Sequence, residues 1–163
     1  MQHTISVVVE NEFGVLARVS GLFSGRGFNI DSLSVAPTND ETLSRITITT
    51  RGDDAILEQI TKQLNKLVDV IKVLDFNDDS AIERELALIK VAAEDESRAE
   101  VLRIVDIFRA KIIDVTPKSY TIEATGNPAK INAILDLLRP LGLKELVRTG
   151  SVAIGRGPKG WKG

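Results

Sequence analysis

The sequence predicts an α+β fold made of two ferredoxin-like βαββαβ units in tandem. Three observations predict it. Strand-like and helix-like segments follow in the order β-α-β-β-α-β, and that order then repeats. The two rounds lie about 75 to 80 residues apart, far beyond a solenoid period, so this is a duplicated plan rather than an array. The apolar residues make up 43% of the chain but the aromatics only 4%, so the core is aliphatic, as sheet-on-helix packing favours.

The first round begins with residues 3–10, HTISVVVE, a β-branched run that favours a strand. From residue 13 to 24 the apolar residues Leu16, Val19, Leu22 and Phe23 fall on one helical face, and Gly25-Arg26-Gly27 stops that helix. Residues 28–36 alternate Phe28, Ile30, Leu33 and Val35 with one slip, the pattern of a strand with a bulge. A turn signal at 37–40 leads to an alternating strand over 42–50. Asp53 can cap a second helix with the stripe Ile56, Ile60, Leu64, Leu67, and residues 68–76 form the fourth strand.

The charged stretch 77–84 reads as a linker. Beyond it, residues 86–93 are strand-like, and Val101, Ile104, Val105 and Phe108 make a helical stripe. Two strands flank Pro117-Lys118, a hairpin signal, and Asn127-Pro128 opens a last helix with a cap and a proline at its first position. Residues 143–154 close the unit. The domains are therefore 1–76 and 85–155, with a tail at 156–163 that reads as flexible.

Composition excludes several classes. The formal net charge of -2 gives no pull toward nucleic acid or an anionic membrane. The absence of cysteine removes disulfides, thiolate nucleophiles and cysteine metal sites. No apolar run reaches the length that spans a bilayer, and the first residues carry no signal-peptide pattern, so the cytoplasm is the expected compartment.

The informative stretch is the junction ENEFGV at 10–15, where a strand gives way to a helix with almost no loop. The first N–H groups of a helix have no partner within it, and the helix N-terminus carries about half a positive charge. At Gly14 no side chain shields the amides of Gly14, Val15 and Leu16, so a carboxylate can be held there without a basic group. Asn11 offers a donor and an acceptor beside them; a plain helix cap is its simpler role. Glu10 and Glu12 disfavour a phosphate, and the ensemble suits the carboxylate and ammonium of a free amino acid. The corresponding junction of the second round, AEDESR at 93–98, has no glycine and carries acidic side chains, so a single sensing end is expected.

In a βαββαβ sheet the second strand lies at an edge. Strands one and two run parallel, which puts Asn29 and Ile30 at the end opposite Gly14 of the same chain. A second copy pairing antiparallel along that edge would bring its own Asn29 and Ile30 to the Gly14 end. A homodimer with shared sites follows.

These residues carry a resemblance. The fold plan with NEFGVLARVSGLF resembles the ACT domain, an amino-acid-sensing module, so the first unit is read as one. The strings GLFSGRGFNIDSLSVAPT, TLSRITITT, ERELALIKV and IFRAKIIDVTPKSYTIEATG are similar to the small, regulatory subunit of acetolactate synthase (acetohydroxyacid synthase). The resemblance implies no catalytic centre and no cofactor in this chain. It implies a large-subunit partner that carries thiamine diphosphate, FAD and magnesium. It further implies that the chain activates that partner and confers feedback inhibition by valine in branched-chain amino acid biosynthesis; a methylene is worth only about 1–3 kcal/mol in such a pocket, which leaves leucine and isoleucine open as effectors. The family's effector positions fall on Asn11, Gly14, Val15, Leu16, Asn29 and Ile30. A stand-alone amino-acid sensor acting on another enzyme is the alternative.

Other motifs carry less. GRGPKG at 155–160 has a proline inside it and no helix after it, unlike a dinucleotide loop. GDD at 52–54 lacks the remainder of a thiamine diphosphate motif. RGF at 26–28 fails the RNA-recognition pattern at Asn29 and sits on the wrong strand. His3, the lone histidine, is expected at the surface or rim, and the acidic run at 77–79 as solvated linker.

Overall fold

The β-branched run after the N-terminus forms a central strand in the computed structural model, which describes residues 2–76, 81–158 and 160. This strand, β1 (Gln2–Glu10), is buried from His3 to Val9 on both faces, which is why it reads as an unbroken apolar run rather than an alternation. It is followed by α1 (Val15–Gly25), β2 (Ile30–Pro37), β3 (Leu43–Arg51), α2 (Asp54–Asn65) and β4 (Val70–Phe76). The sheet order is β2-β3-β1-β4, with β3 antiparallel to both β1 and β2. So β1 and β2 run the same way, and β2 lies at an edge.

Local chemistry sets each boundary. Gly27, at φ 73°, ends α1: its N–H reaches Ser24 O, and the N–H of Phe28 reaches back to Phe23 O at 2.9 Å. The rings of Phe23 and Phe28 meet edge to face at 6.5 Å, so the helix stop also fixes where the chain enters β2. Asp53 caps α2 by accepting from Ile56 N at 2.9 Å. In the β2–β3 hairpin, Asp40 Oδ1 accepts from the hydroxyl and the backbone N–H of Thr42. Those two bonds, the hydroxyl first, hold the Asp40 carboxyl below its ordinary pKa.

The expected helix stripes hold at Val19, Phe23, Ile60 and Leu64, while Val15 is buried in place of Leu16 and Leu57 in place of Ile56. The fully buried positions on α1 are Val15, Val19 and Phe23, an i, i+4, i+8 row, and Leu16 is left 40% exposed. On α2 they are Leu57, Ile60 and Leu64, with Ile56 and Leu67 flanking. Complete burial of a side chain such as Phe23 or Ile60 stabilises by roughly 1.5–3 kcal/mol. His3 is also buried rather than at the rim, with Nε2 3.0 Å from Gly52 O.

The second round gives β5 (Ala81–Ala92), α3 (Glu96–Ile107), β6 (Lys111–Val115), β7 (Ser119–Gly126), α4 (Pro128–Gly142) and β8 (Leu143–Arg148) in the order β6-β7-β5-β8; a short β9 (Val152–Gly155) pairs with β5. Its core is aliphatic, built on Ile89, Val101, Ile122, Ile131 and Leu135. Asn127 caps α4 through Lys130 N at 2.8 Å, with Pro128 at the first turn. Both sheets carry the same irregularities. The register slips between Ile30 and Ser32 in β2 and between Ile112 and Asp114 in β6. It slips again between Val8 and Val9 in β1 and between Lys90 and Val91 in β5.

Two boundaries differ from the sequence reading. Residues 77–80 of the linker lie outside the described residues, and 81–84 are strand: their charges occupy β5 rather than a loop, and Glu85 is buried against Arg148 Nε at 2.5 Å. The second compact unit is Glu83–Gly150, while Ser151–Gly163 groups with Met1–Ile82. Gly150, at φ 81°, turns the chain there, and the Arg45 guanidinium binds Ala153 O at 2.9 Å and Ser6 Oγ at 2.6 Å. Burial lowers the pKa of Arg45. Of the tail, residues 159 and 161–163 lie outside the described residues.

Candidate functional site

The loop after β1 is pinned from two sides. Glu10 N donates to Asp69 O at 2.9 Å, which ties the strand end to the α2–β4 loop. Asn11 N donates to Thr42 O at 2.8 Å, and Asn11 Nδ2 to Glu41 O at 3.0 Å, which ties the next residue to the β2–β3 hairpin. Asn11 is therefore not the helix cap. The cap position falls three residues later on Gly14, with φ 80° and ψ -7°, and no side chain caps the helix there.

Gly14 is needed for two reasons. Its φ lies in the left-handed region that favours glycine, and an ideal Cβ would come within 3.1 Å of Arg18 Nη1. The first turn of α1 carries no acidic side chain. Arg18 N takes Gly14 O at 3.0 Å as the helix begins, and Val15 N has only a 3.5 Å approach to Glu12 O. An open cleft of about 650 Å³ lies at this loop, lined by Asn11, Glu12 and Phe13. Phe13, expected to open the helix, precedes it and is fully exposed. Val15 is buried, so it offers its backbone alone, whereas half-exposed Leu16 also offers an apolar side chain.

Asn29 and Ile30 are not brought to this end. Ile30 pairs with Thr50, and Thr50 with His3, at the start of β1, whereas Gly14 follows its last residue. Asn29 Nδ2 donates to Asp31 Oδ1 at 2.7 Å, Asn29 O accepts from Thr50 Oγ1 at 2.5 Å, and Ile30 packs against the core.

Sequence reasoning missed Arg18 and Asp69. Residues 68 and 69 were read as strand, but β4 starts at Val70, and Asp69 sits in the loop against α1. Arg18 binds Asp69 Oδ2 through Nε at 2.8 Å and Nη2 at 2.6 Å. The available signal was Arg18 itself, the only charge in the helix VLARVSGLFSG. The carboxylate oxygens of Glu10, Glu12 and Asp69 come within 4.8 Å of one another, a spacing that could hold a cation, but Asp69 Oδ2 is engaged by Arg18. Charges of both signs thus stand around the bare helix end.

The corresponding junction of the second unit differs in backbone: the ψ of its cap residue is -114°, against -7° at Gly14. Its cap residue, Asp95, also has positive φ, 48°, but carries a side chain. Ser97 Oγ donates to Glu94 O at 2.9 Å and accepts from Glu94 N at 3.1 Å. Arg98 Nη1 donates to the carbonyls of Ala93, Pro117 and Thr116 at 2.7, 3.0 and 3.1 Å, with its guanidinium carbon 4.5 Å from the Tyr120 ring centre.

Comparison with known proteins bears on the whole chain. A family model described as "AHAS small subunit-like ACT domain" matches residues 5–72, and one described as "Small subunit of acetolactate synthase" matches residues 84–157. The acetolactate synthase small subunit of Mycolicibacterium smegmatis is 52% identical over 97% of this chain and 93% of its own length. The chain belongs to the acetolactate synthase small-subunit family. The small subunit of Aquifex aeolicus is 53% identical over 95% of the chain and 81% of its own length. The crystal structure of the Thermotoga maritima small subunit superposes with a TM-score of 0.88 at 43% identity, covering 98% of this chain and 99% of that one. Membership makes the chain a non-catalytic, regulatory subunit with a catalytic large subunit as its partner, and it makes the first unit an ACT domain. No helix among the described residues is long and apolar enough to cross a membrane.

Proposed function

We propose that this small subunit senses valine at the β1–α1 junction of its ACT domain and transmits that binding to the large subunit. In this reading the chain activates the large subunit, which holds thiamine diphosphate, FAD and magnesium and condenses pyruvate with pyruvate or 2-oxobutyrate. Valine then withdraws the activity as feedback on branched-chain amino acid biosynthesis.

One observation carries the reading. An uncapped helix N-terminus begins at a glycine with φ 80°, beside an open cleft, and both Arg18 and the pair Glu10 and Glu12 stand next to it. A zwitterion needs both signs within a few ångströms, and this end of the domain supplies them. The α-carboxylate would take the α1 amides, and the ammonium an acidic or carbonyl oxygen. The side chain would lie against Leu16 and Ile30 of a second copy, paired edge to edge along β2, with Asn29 of that copy completing the pocket. Charge-assisted hydrogen bonds of roughly 1.5–3 kcal/mol each support micromolar to millimolar affinity once association costs are deducted. Leucine and isoleucine differ from valine by one methylene, worth only about 1–3 kcal/mol, so they are weaker effectors of the same pocket.

A ligand shifts an equilibrium only if it binds one state better. A pocket whose walls come from two copies meets that condition, because ligand binding and dimer arrangement are then linked. The test is to combine the chain with an acetolactate synthase large subunit and titrate valine. Activity is expected to rise on mixing and to fall again with valine. Activation with no response to any branched-chain amino acid would overturn the effector assignment.

A further inference from the structure

Arg18 stands one helical turn beyond Gly14 and is the only charged side chain of α1. Its Nε and Nη2 are both engaged by Asp69 Oδ2. Its Nη1 is not: it lies 3.1 Å from the point that a Cβ on Gly14 would occupy and makes no hydrogen bond among the described residues. A planar fork is thus held on one side by a carboxylate, with donors left over on the other side, beside the uncapped helix end.

We propose that Arg18 is the specificity-determining residue of the effector site: Nη1 donates to the effector's α-carboxylate while Asp69 holds the guanidinium in place. The proposal rests on the reading of this junction as the amino-acid site and deepens it by assigning what selects for the carboxylate. Charge balance requires such a group. An incoming carboxylate meets Glu10, Glu12 and Asp69, whose oxygens cluster within 4.8 Å, and half a charge at a helix end does not offset three. Arg18 offsets Asp69 and supplies N–H donors of its own, and the effector's ammonium offsets a second of the three. The geometry also requires arginine. A guanidinium presents separate donors to Asp69 and to a ligand at once, whereas the compact ammonium of lysine cannot span both. An amide or alcohol in place of the carboxylate gains little from the cation and keeps its cost of desolvation.

The test measures binding of two probes, valine and valinamide, to the full chain in complex with a large subunit, by calorimetry. Valinamide keeps the side chain and the ammonium and lacks the carboxylate. The wild-type complex is expected to prefer valine. Arg18→Gln is expected to cut that preference by about tenfold or more, the equivalent of one charge-assisted hydrogen bond, and Arg18→Lys to restore part of it. Asp69→Asn leaves Arg18 charged but loosely held, so it is expected to lose part of the preference, and less than Arg18→Gln. An unchanged preference in Arg18→Gln, or a larger loss in Asp69→Asn than in Arg18→Gln, overturns the proposal and leaves Arg18 a structural tie. Should Arg18→Gln fail to fold, Arg18→Lys decides, because an undiminished preference there overturns the proposal. A wild-type complex that binds neither probe overturns the effector reading itself, which the variants cannot do.

Discussion

Gly14 concentrates the argument at the scale of a single residue. Its φ of 80° favours glycine, a Cβ there would make Arg18 Nη1 give way by a few tenths of an ångström, and the helix end it leaves bare is the feature on which the proposed site depends. Gly14→Asp would place a carboxylate where that of the effector is expected, beside the α1 amides and Arg18. The expected outcome is loss of valine inhibition, with the midpoint raised at least about tenfold. Aspartate tolerates the left-handed region better than most residues, so the cost to stability should stay near 1 kcal/mol. Valine titration of the complex, with thermal melting of the same variant, separates loss of the site from loss of the fold. A Gly14→Asp complex as valine-sensitive as wild type would sink the assignment. Gly14 drew notice in the sequence because the strand gives way to the helix with almost no loop, although a glycine there often serves only a tight turn. Arg18–Asp69 did not, because partners 51 positions apart leave no local pattern.

At the scale of elements, α1 and β2 do most of the positioning. The stop at Gly27 and the Phe23–Phe28 contact fix the entry to β2, and β2 is left at the edge of its sheet. An edge strand is a template for pairing, and proteins guard against unwanted pairing with charge. Val35 is half-exposed on that strand. If two copies join there, Val35→Lys should shift the chain toward monomer in analytical ultracentrifugation and weaken the valine response in parallel. A dimer of unchanged stability would argue for a different interface. The helices and strands were readable because aliphatic periodicity and caps such as Asp53 and Asn127 are local signals. The burial of Val15 in place of Leu16 was not. Leu16 and Val15 are equally apolar, and only the angle at which α1 meets the sheet decides which is buried.

For the whole molecule, the legible part was the duplication, and the obscure part was where each copy ends. The charges of Glu83 and Arg84 suggested a linker, yet both lie in β5 next to Glu85, which is buried and bound by Arg148, and Arg148 also reaches Asn132 Oδ1 at 2.9 Å. Removing one member of a buried pair leaves the other uncompensated, so Arg148→Leu should cost about 3 kcal/mol in urea-induced unfolding. A cost below 1 kcal/mol would show that water replaces the guanidinium. The grouping of Ser151–Gly163 with the first unit depends on Arg45 and Ala153, 108 positions apart, and no periodicity announces it.

Asp95 repeats the positive φ of Gly14 but brings a carboxylate with it, and Arg98 binds the carbonyls of the neighbouring turn. The Asp95 carboxylate makes no hydrogen bond to the helix, yet it sets a negative charge at a cap position that glycine leaves bare in the first unit. A negative charge at a helix N-terminus disfavours a carboxylate ligand there, so under the proposed reading each chain carries one effector site.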